Sequence, residues 1–279
     1  MKNIHKKYII HGWLAIFFLW IGSPSWAAEP IRISGTGAAI SAIKQVTELY
    51  RQRQPEIQVQ FYLPPMGSSG AIKALTTHTL DMALSGRPLK KEEETAGLMQ
   101  EWIGRSPFLF VVHEKLLAPN VTLAQLVEIF SGRQKTWPDG SRVRVILRPQ
   151  ADADTVLLKA ISPAMDEAIT TAHANRASGS ALADTDIDLA NMVERVPGGV
   201  GAVALTLILA EQRPLKGLTL DGVEPTVPAL EKNNYPYYKP FFLITRTDAP
   251  APVRALADFL LTDESKALLL KLGISATKP

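Results

Sequence analysis

The sequence predicts an α/β fold built on a mostly parallel sheet. Three observations predict it. Strand-like and helix-like segments alternate as β-α-β-α-β from Ile31 to Ser85. The loops that enter the helices carry Gly and Ser, the residues that open helices after tight turns. Phe108-Leu109-Phe110-Val111-Val112 is apolar throughout, as a strand covered on both faces should be.

Each element has its own local cause. Ile31-Arg32-Ile33-Ser34 is a short strand that turns at Gly35-Thr36-Gly37. Ile40, Ile43, Val46, Leu49 and Tyr50 recur at helical spacing, and Pro55 ends that helix. Ile57 to Phe61 alternates and predicts a second strand. Pro64-Pro65-Met66-Gly67 is loop, Ser68-Ser69-Gly70 opens a helix to about Thr77, and Met82-Ala83-Leu84 is a third strand. Thr122 should cap a helix running to Phe130, before Ser131-Gly132. Val143 to Leu147 is a strand, Asp152 to Ala160 loop and helix, and Ser162 with Pro163 starts a helix to about His173. Asp184 to Arg195 is helical, Pro197 to Gly201 a flexible turn, and Leu215 to Leu220 a strand. The longest loop is expected around Asn233 to Tyr238. Pro240 to Thr245 is again a buried strand, followed by helices over Pro252–Leu261 and Glu264–Leu272.

The first 27 residues have the layout of a secretory signal peptide. Lys2, Lys6 and Lys7 precede an apolar run from Ile9 to Ile21, and Ser25 and Ala27 supply small residues for cleavage. The run is shorter than the ~20 apolar residues of a membrane span, and no Cys near the cut allows lipid attachment. A periplasmic location follows as the expectation. Those three lysines account for the formal charge of +3, so the exported part is near neutral and gives no reason to expect nucleic acid. The chain has no Cys, which excludes disulfides, thiol nucleophiles and thiolate metal sites. His78, His113 and His173 lack metal-ligand spacing. No metal or cofactor is expected.

Three loops share one character: Gly35-Thr36-Gly37-Ala38-Ala39, Gly67-Ser68-Ser69-Gly70, and Arg148 through Asp154-Thr155. Each follows a strand and leads into a helix. A helix start presents unpaired N–H groups and a partial positive charge, which suit an anion. Thr36, Ser68, Ser69 and Thr155 add hydroxyl donors, Gly37, Ala38 and Ala39 offer backbone, and Arg87 and Arg148 add forked cations. A single such loop is more often an ordinary cap. Competing motifs fail. Gly35-Thr36-Gly37 lacks the third Gly of a dinucleotide fingerprint, no P-loop or H-E-x-x-H occurs, and Ser68 and Ser69 have no base in sequence reach. An exported Ser hydrolase is therefore disfavoured, and the chain is not expected to be an enzyme.

On several segments the chain resembles the periplasmic phosphate-binding protein family of bacterial ABC importers. They are Ser34-Gly35-Thr36-Gly37-Ala38, Gly67-Ser68-Ser69-Gly70-Ala71-Ile72-Lys73, Leu80 to Ser85, Leu126 to Gly132, Pro197 to Ala202 and Asp221 to Thr226. The resemblance implies a two-lobed Venus-flytrap fold, each lobe a mixed, mostly parallel sheet flanked by helices. It divides the chain into a signal peptide (1–27), lobe one (28–112), lobe two (113–204) and a return to lobe one (205–279). It also implies a monomer that captures a small, phosphate-like oxyanion between the lobes and delivers it to a membrane permease. Ser68 and Arg148 match family ligands. Where the family has Thr-Phe this chain has Ala39-Ile40, and the family's proton-accepting Asp falls at Gly86. Ala153-Asp154-Thr155 stands for Ser-Gly-Thr. The lost Asp implies tolerance of fully deprotonated tetrahedral anions. Asp152 and Asp154 are candidates to cap their own helix, filling the place an anion would take. A second class of function is then a scaffold that no longer transports and acts as sensor or adaptor for a membrane partner. A third is an adhesin using Tyr235-Pro236-Tyr237-Tyr238.

Overall fold

A computed structural model describes residues 29–117, 120–175 and 180–279; the expected signal peptide lies outside them. In chain order the elements are β1 (Ile31–Gly35), α1 (Gly37–Arg53), β2 (Val59–Phe61), α2 (Gly67–Thr76), β3 (Met82–Ser85), α3 (Lys91–Glu94) and β4 (Leu98–His113). Next come α4 (Leu123–Phe130), β5 (Arg144–Leu147), α5 (Ala153–Ala160), α6 (Pro163–Ala174), β6 (Ala181–Leu182), α7 (Asp186–Arg195) and β7 (Gly199–Ala204). The chain closes with α8 (Leu205–Glu211), β8 (Leu215–Gly217), α9 (Val227–Glu231), β9 (Tyr238–Arg246), α10 (Ala251–Leu260) and α11 (Asp263–Lys271). Among the described residues no helix is long and apolar enough to cross a membrane.

The molecule is a two-lobed, mixed α/β fold on one continuous strand path, β2-β1-β3-β9-β4-β7-β5-β6, with β8 added to β4. The β1–β2, β1–β3, β5–β6 and β5–β7 pairs are parallel, as the β-α-β alternation demands. The centre is antiparallel. β4 pairs with β9 over Leu98 to Pro107, and then with β7 and β8 over Phe108 to His113. β4 and β9 therefore join the two lobes.

The local signals act as expected at several helix starts. Thr122 Oγ1 accepts from the Gln125 N–H, and Ser162 Oγ from the Met165 N–H with Pro163 beginning α6. Two expectations change. β4 starts ten residues before its apolar run, because Leu98 to Pro107 is held by β9 rather than by a continuous hydrophobic pattern. The glycines of Gly199-Val200-Gly201 read as a turn, but pairing with β4 on one side and β5 on the other makes them a buried central strand.

One apolar cluster runs across both lobes. Ile33, Ile40, Ile43, Leu84, Phe241 and Leu256 belong to one apolar cluster, which continues into α7 through Leu189 and Val193. Phe110, Leu126, Phe130, Leu147 and Ile169 belong to another. Leu218, Leu220 and Tyr235 also pack in that second cluster.

Candidate functional site

Four helix starts, those of α1, α2, α5 and α7, meet where the lobes face each other, and the group at their meeting point is a side chain of this protein. Thr36 follows β1 and precedes α1 in extended geometry without capping it. Its hydroxyl donates instead to Asp186 Oδ2 at 2.8 Å. The N–H groups of Gly37 and Ala38 donate to the same carboxylate, each at 3.0 Å. Asp186 is the first residue of α7, whose own cap is Thr185. An acidic side chain is favoured at a helix start; here it also takes the free amides of a second helix. Both helix N-termini thus share one buried carboxylate.

Lys239 completes the cluster from the crossing strand β9. Its Nζ lies 2.6 Å from Asp154 Oδ1 and 3.2 Å from Asp186 Oδ2, and donates to Thr36 Oγ1 at 2.8 Å. Lys239 and Asp186 are each 2% exposed and Asp154 1%. Charges so desolvated are tolerable only when paired and hydrogen-bonded. Arg148, at the end of β5, donates to the Ala183 carbonyl at 3.0 Å and to Asp152 Oδ2 at 2.7 Å, while its buried Nε has no partner. Asp152 caps α5 by accepting from the Asp154 N–H at 2.9 Å, as its position suggested. Three carboxylates thus face two cations, a formal excess of one negative charge.

The environment separates the two deepest acids. Burial alone would raise the Asp186 pKa. Lys239, then Arg148, then the Ala38 amide and Thr36 hydroxyl outweigh it and hold that carboxyl well below the usual range. Burial pushes Asp154 up to about 6, reinforced by Asp152 and Asp186 and opposed by Lys239. Burial by itself would lower Lys239, but Asp154 and Asp186 hold it above its ordinary value.

Little space remains. Thr36, Ser68, Arg148, Asp154, Asp186 and Lys239 help to line a cavity of about 10 Å³, room for about one water. Two glycines permit this closeness. A Cβ on Gly37 would sit 2.4 Å from Asp186 Oδ1, and one on Gly86 would sit 2.7 Å from Lys239 Cε. Gly86, where the resemblance places the family's Asp, is where the lysine stem passes.

The expected site residues divide. Thr36, Gly37, Ala38, Ser68 and Arg148 come together. Ala39 is buried in α1, and the amides that reach the carboxylate are the two before it. Ser68 Oγ accepts from the Gly86 N–H at 2.9 Å. Thr155 turns its hydroxyl to the Arg148 carbonyl, 3.2 Å away. Arg87 stands outside the cavity, bonded to Glu93 through both terminal nitrogens at 2.8 Å and to Ser69 Oγ at 3.1 Å. Glu93 holds that guanidinium on its own carboxylate. Asp186 and Lys239 were missed as site residues. A lone lysine at the start of the aromatic strand Tyr238-Lys239-Pro240-Phe241-Phe242 was the available signal, since a buried lysine needs an acid.

A profile of the PBP superfamily domain matches residues 22–264. The phosphate-binding protein PstS 2 of Streptococcus pneumoniae is 28% identical over 107 residues, which is 38% of this chain and 36% of that relative. The matched segment thus spans about a third of the relative's length. A protein described as a phosphate ABC transporter substrate-binding protein with bound phosphate, from Clostridium perfringens, has a similar structure. Its TM-score is 0.75 at 19% identity, over 89% of this chain and all of that one. A phosphate-binding protein from Stenotrophomonas maltophilia gives a TM-score of 0.64 at 15% identity, over 89% and 91% of the two chains. At these identities the likeness is one of fold.

Proposed function

Because the chain belongs to the PBP superfamily, we propose that it is an exported binding-protein scaffold whose anion cradle is filled by its own Asp186. In this reading it works as a closed sensor or adaptor module for a membrane partner, rather than as a carrier of free oxyanion. One observation carries the reading. The Asp186 carboxylate accepts the Thr36 hydroxyl, the Gly37 and Ala38 amides and the Lys239 ammonium, the donors that an external anion would need. A second anion would meet Asp154 and Asp152 across a cavity already closed, and like charges in a desolvated site repel strongly. Asp186 reaches these donors from the segment assigned to lobe two, so its bonds hold the lobes together as a trapped ligand would.

A second reading is favoured by the buried, unpartnered Nε of Arg148. There Asp186 swings out, a phosphate-like oxyanion takes its place, and the protein delivers it to an ABC permease. Calorimetric titration of the purified protein with phosphate, sulfate, molybdate and tungstate separates the two. The self-filled reading expects no binding heat from any of them at micromolar concentration. Tight binding of one would overturn it in favour of transport.

A further inference from the structure

The first half of β4 is paired on one side only. Over Leu98 to Trp102 its partner is β9; β7 joins from Phe108 and β8 from Val111, and among the described residues no other strand reaches it. In an antiparallel ladder the main-chain groups of successive residues point alternately to the two sides. The Thr247 N–H donates to the Gly97 carbonyl at 2.9 Å, so Gly97, Met99 and Glu101 turn toward β9. Leu98, Gln100 and Trp102 turn their N–H and C=O groups away from it. Among the described residues no protein group is bonded to them.

The same edge already holds one extended residue. The Arg105 N–H donates to the Ser275 carbonyl at 2.8 Å, and the Ser275 N–H to the Arg105 carbonyl at 2.9 Å, in antiparallel sense. The chain then leaves the ladder. The Thr277 N–H turns back to Ser275 Oγ, and the Trp102 indole donates to the Ala276 carbonyl at 2.9 Å. The edge therefore accepts an extended chain, and the rungs at Leu98, Gln100 and Trp102 remain open. A groove of about 590 Å³ lies beside them, bordered in part by Gln100, Glu101, Trp102, Phe242, Lys266 and Lys278. Side chains of consecutive strand residues point to opposite faces. A groove bordered by Gln100, Glu101 and Trp102 together thus follows the edge rather than one face. Trp102 and Phe242 pack edge to face with ring centroids 5.3 Å apart and give it an apolar wall. The two lysines outnumber Glu101 and favour a negative partner.

We propose that this edge is a docking site for an extended peptide segment of a protein partner, added as a further strand against Leu98 to Trp102. Main-chain bonds to Leu98, Gln100 and Trp102 supply the affinity, and side chains supply the choice. The segment carries an apolar or aromatic residue for Trp102 and Phe242, and acidic residues for Lys266 and Lys278. The bulge between Trp102 and Gly104 limits its length, since pairing in register stops there. The site shares no residue with the Asp186 cluster, so it stands whether or not the cradle fills itself.

The probe is a capped synthetic peptide in which glutamate alternates with valine and phenylalanine. It is titrated into the purified protein by calorimetry, with amide hydrogen exchange followed residue by residue. The same peptide N-methylated on alternate amides, made in both frames, removes donors from one side of the strand and keeps every side chain. The parent peptide should bind and slow exchange at Gln100 and Trp102, leaving Met99 and Glu101, already paired with β9, unchanged. Methylation in the frame that faces the edge should weaken binding at least about tenfold, the scale of the hydrogen bonds removed. Methylation in the other frame should not. Lys266→Glu combined with Lys278→Glu, or raised salt, should weaken binding severalfold. No binding at millimolar peptide, equal affinity for the two methylated forms, or unchanged exchange at Gln100 and Trp102 would each overturn the proposal. A dimer in sedimentation, with those two amides already protected, would overturn it in favour of a second copy of this chain. The methylated peptides are compared on the unaltered protein, so the decision does not depend on how the lysine variants fold.

Discussion

Asp154 and Asp186 contact the same ammonium, yet their protons are held in opposite ways. Asp186 has five donors, the Ile187 N–H among them, and stays ionised; its contribution to stability is present above its unfolded pKa of ~3.9 and is lost only as pH falls below that. Asp154 faces Lys239 but also two other carboxylates, and its folded pKa is pushed up to about 6. For a raised acid the sign reverses. The native state keeps a proton that the unfolded chain has released, so the contribution is present below about pH 4 and lost as pH rises through 6. Urea midpoints measured from pH 4 to 7 should therefore carry a falling component on the order of 2 kcal/mol across that window. Asp154→Asn should remove it. An identical pH profile for the two proteins would refute this assignment.

At the scale of elements, the contact between the starts of α1 and α7 needs explanation. Two helix N-termini carry like partial charges and should repel. Asp186 placed between them converts the repulsion into shared hydrogen bonding. The geometry tolerates no added carbon at Gly37, whose Cβ would also come within 2.7 Å of Ile187 Cγ1. Gly37→Ala should cost about 1–3 kcal/mol, as overpacking does, and lower the melting temperature. At Gly86 an added carbon would sit 2.7 Å from Lys239 Cε, whose ammonium is held by Asp154, Asp186 and Thr36. Gly86→Ala should therefore cost a similar amount. A melting temperature left unchanged by Gly37→Ala would mean that α1 and α7 are not packed this closely in solution.

At the scale of the molecule, the cluster draws on parts that only the whole fold assembles. Thr36, Gly37 and Ala38 come from the first strand–helix unit, Asp154 and Asp186 from α5 and α7, and Lys239 from the strand that crosses between lobes. Removing Asp186 leaves Lys239 and the two amides without their anion and removes a bond between lobes. Breaking a buried pair in this way costs roughly 3–5 kcal/mol. Asp186→Ala should therefore expand the protein in small-angle X-ray scattering and make it responsive to sulfate or phosphate, which supply the missing charge and draw the lobes together again. The unaltered protein should not change. Scattering from Asp186→Ala that matches the unaltered protein, with or without anion, would remove Asp186 as the latch.

The sequence by itself determined the α/β order, most helix starts and the position of the anion-ready loops. These depend on periods, caps and turn residues within a few positions of each other; Ser162 with Pro163, and Thr122 with Gln125, act where they were read. Only the tertiary structure decided what the cradle holds. Asp186 is 149 residues from Gly37 and 53 from Lys239, and no local pattern encodes which of 27 acidic side chains completes a site. Chain crossing at β4 and β9 brings them within hydrogen-bond reach, and desolvation then makes each charge depend on the others.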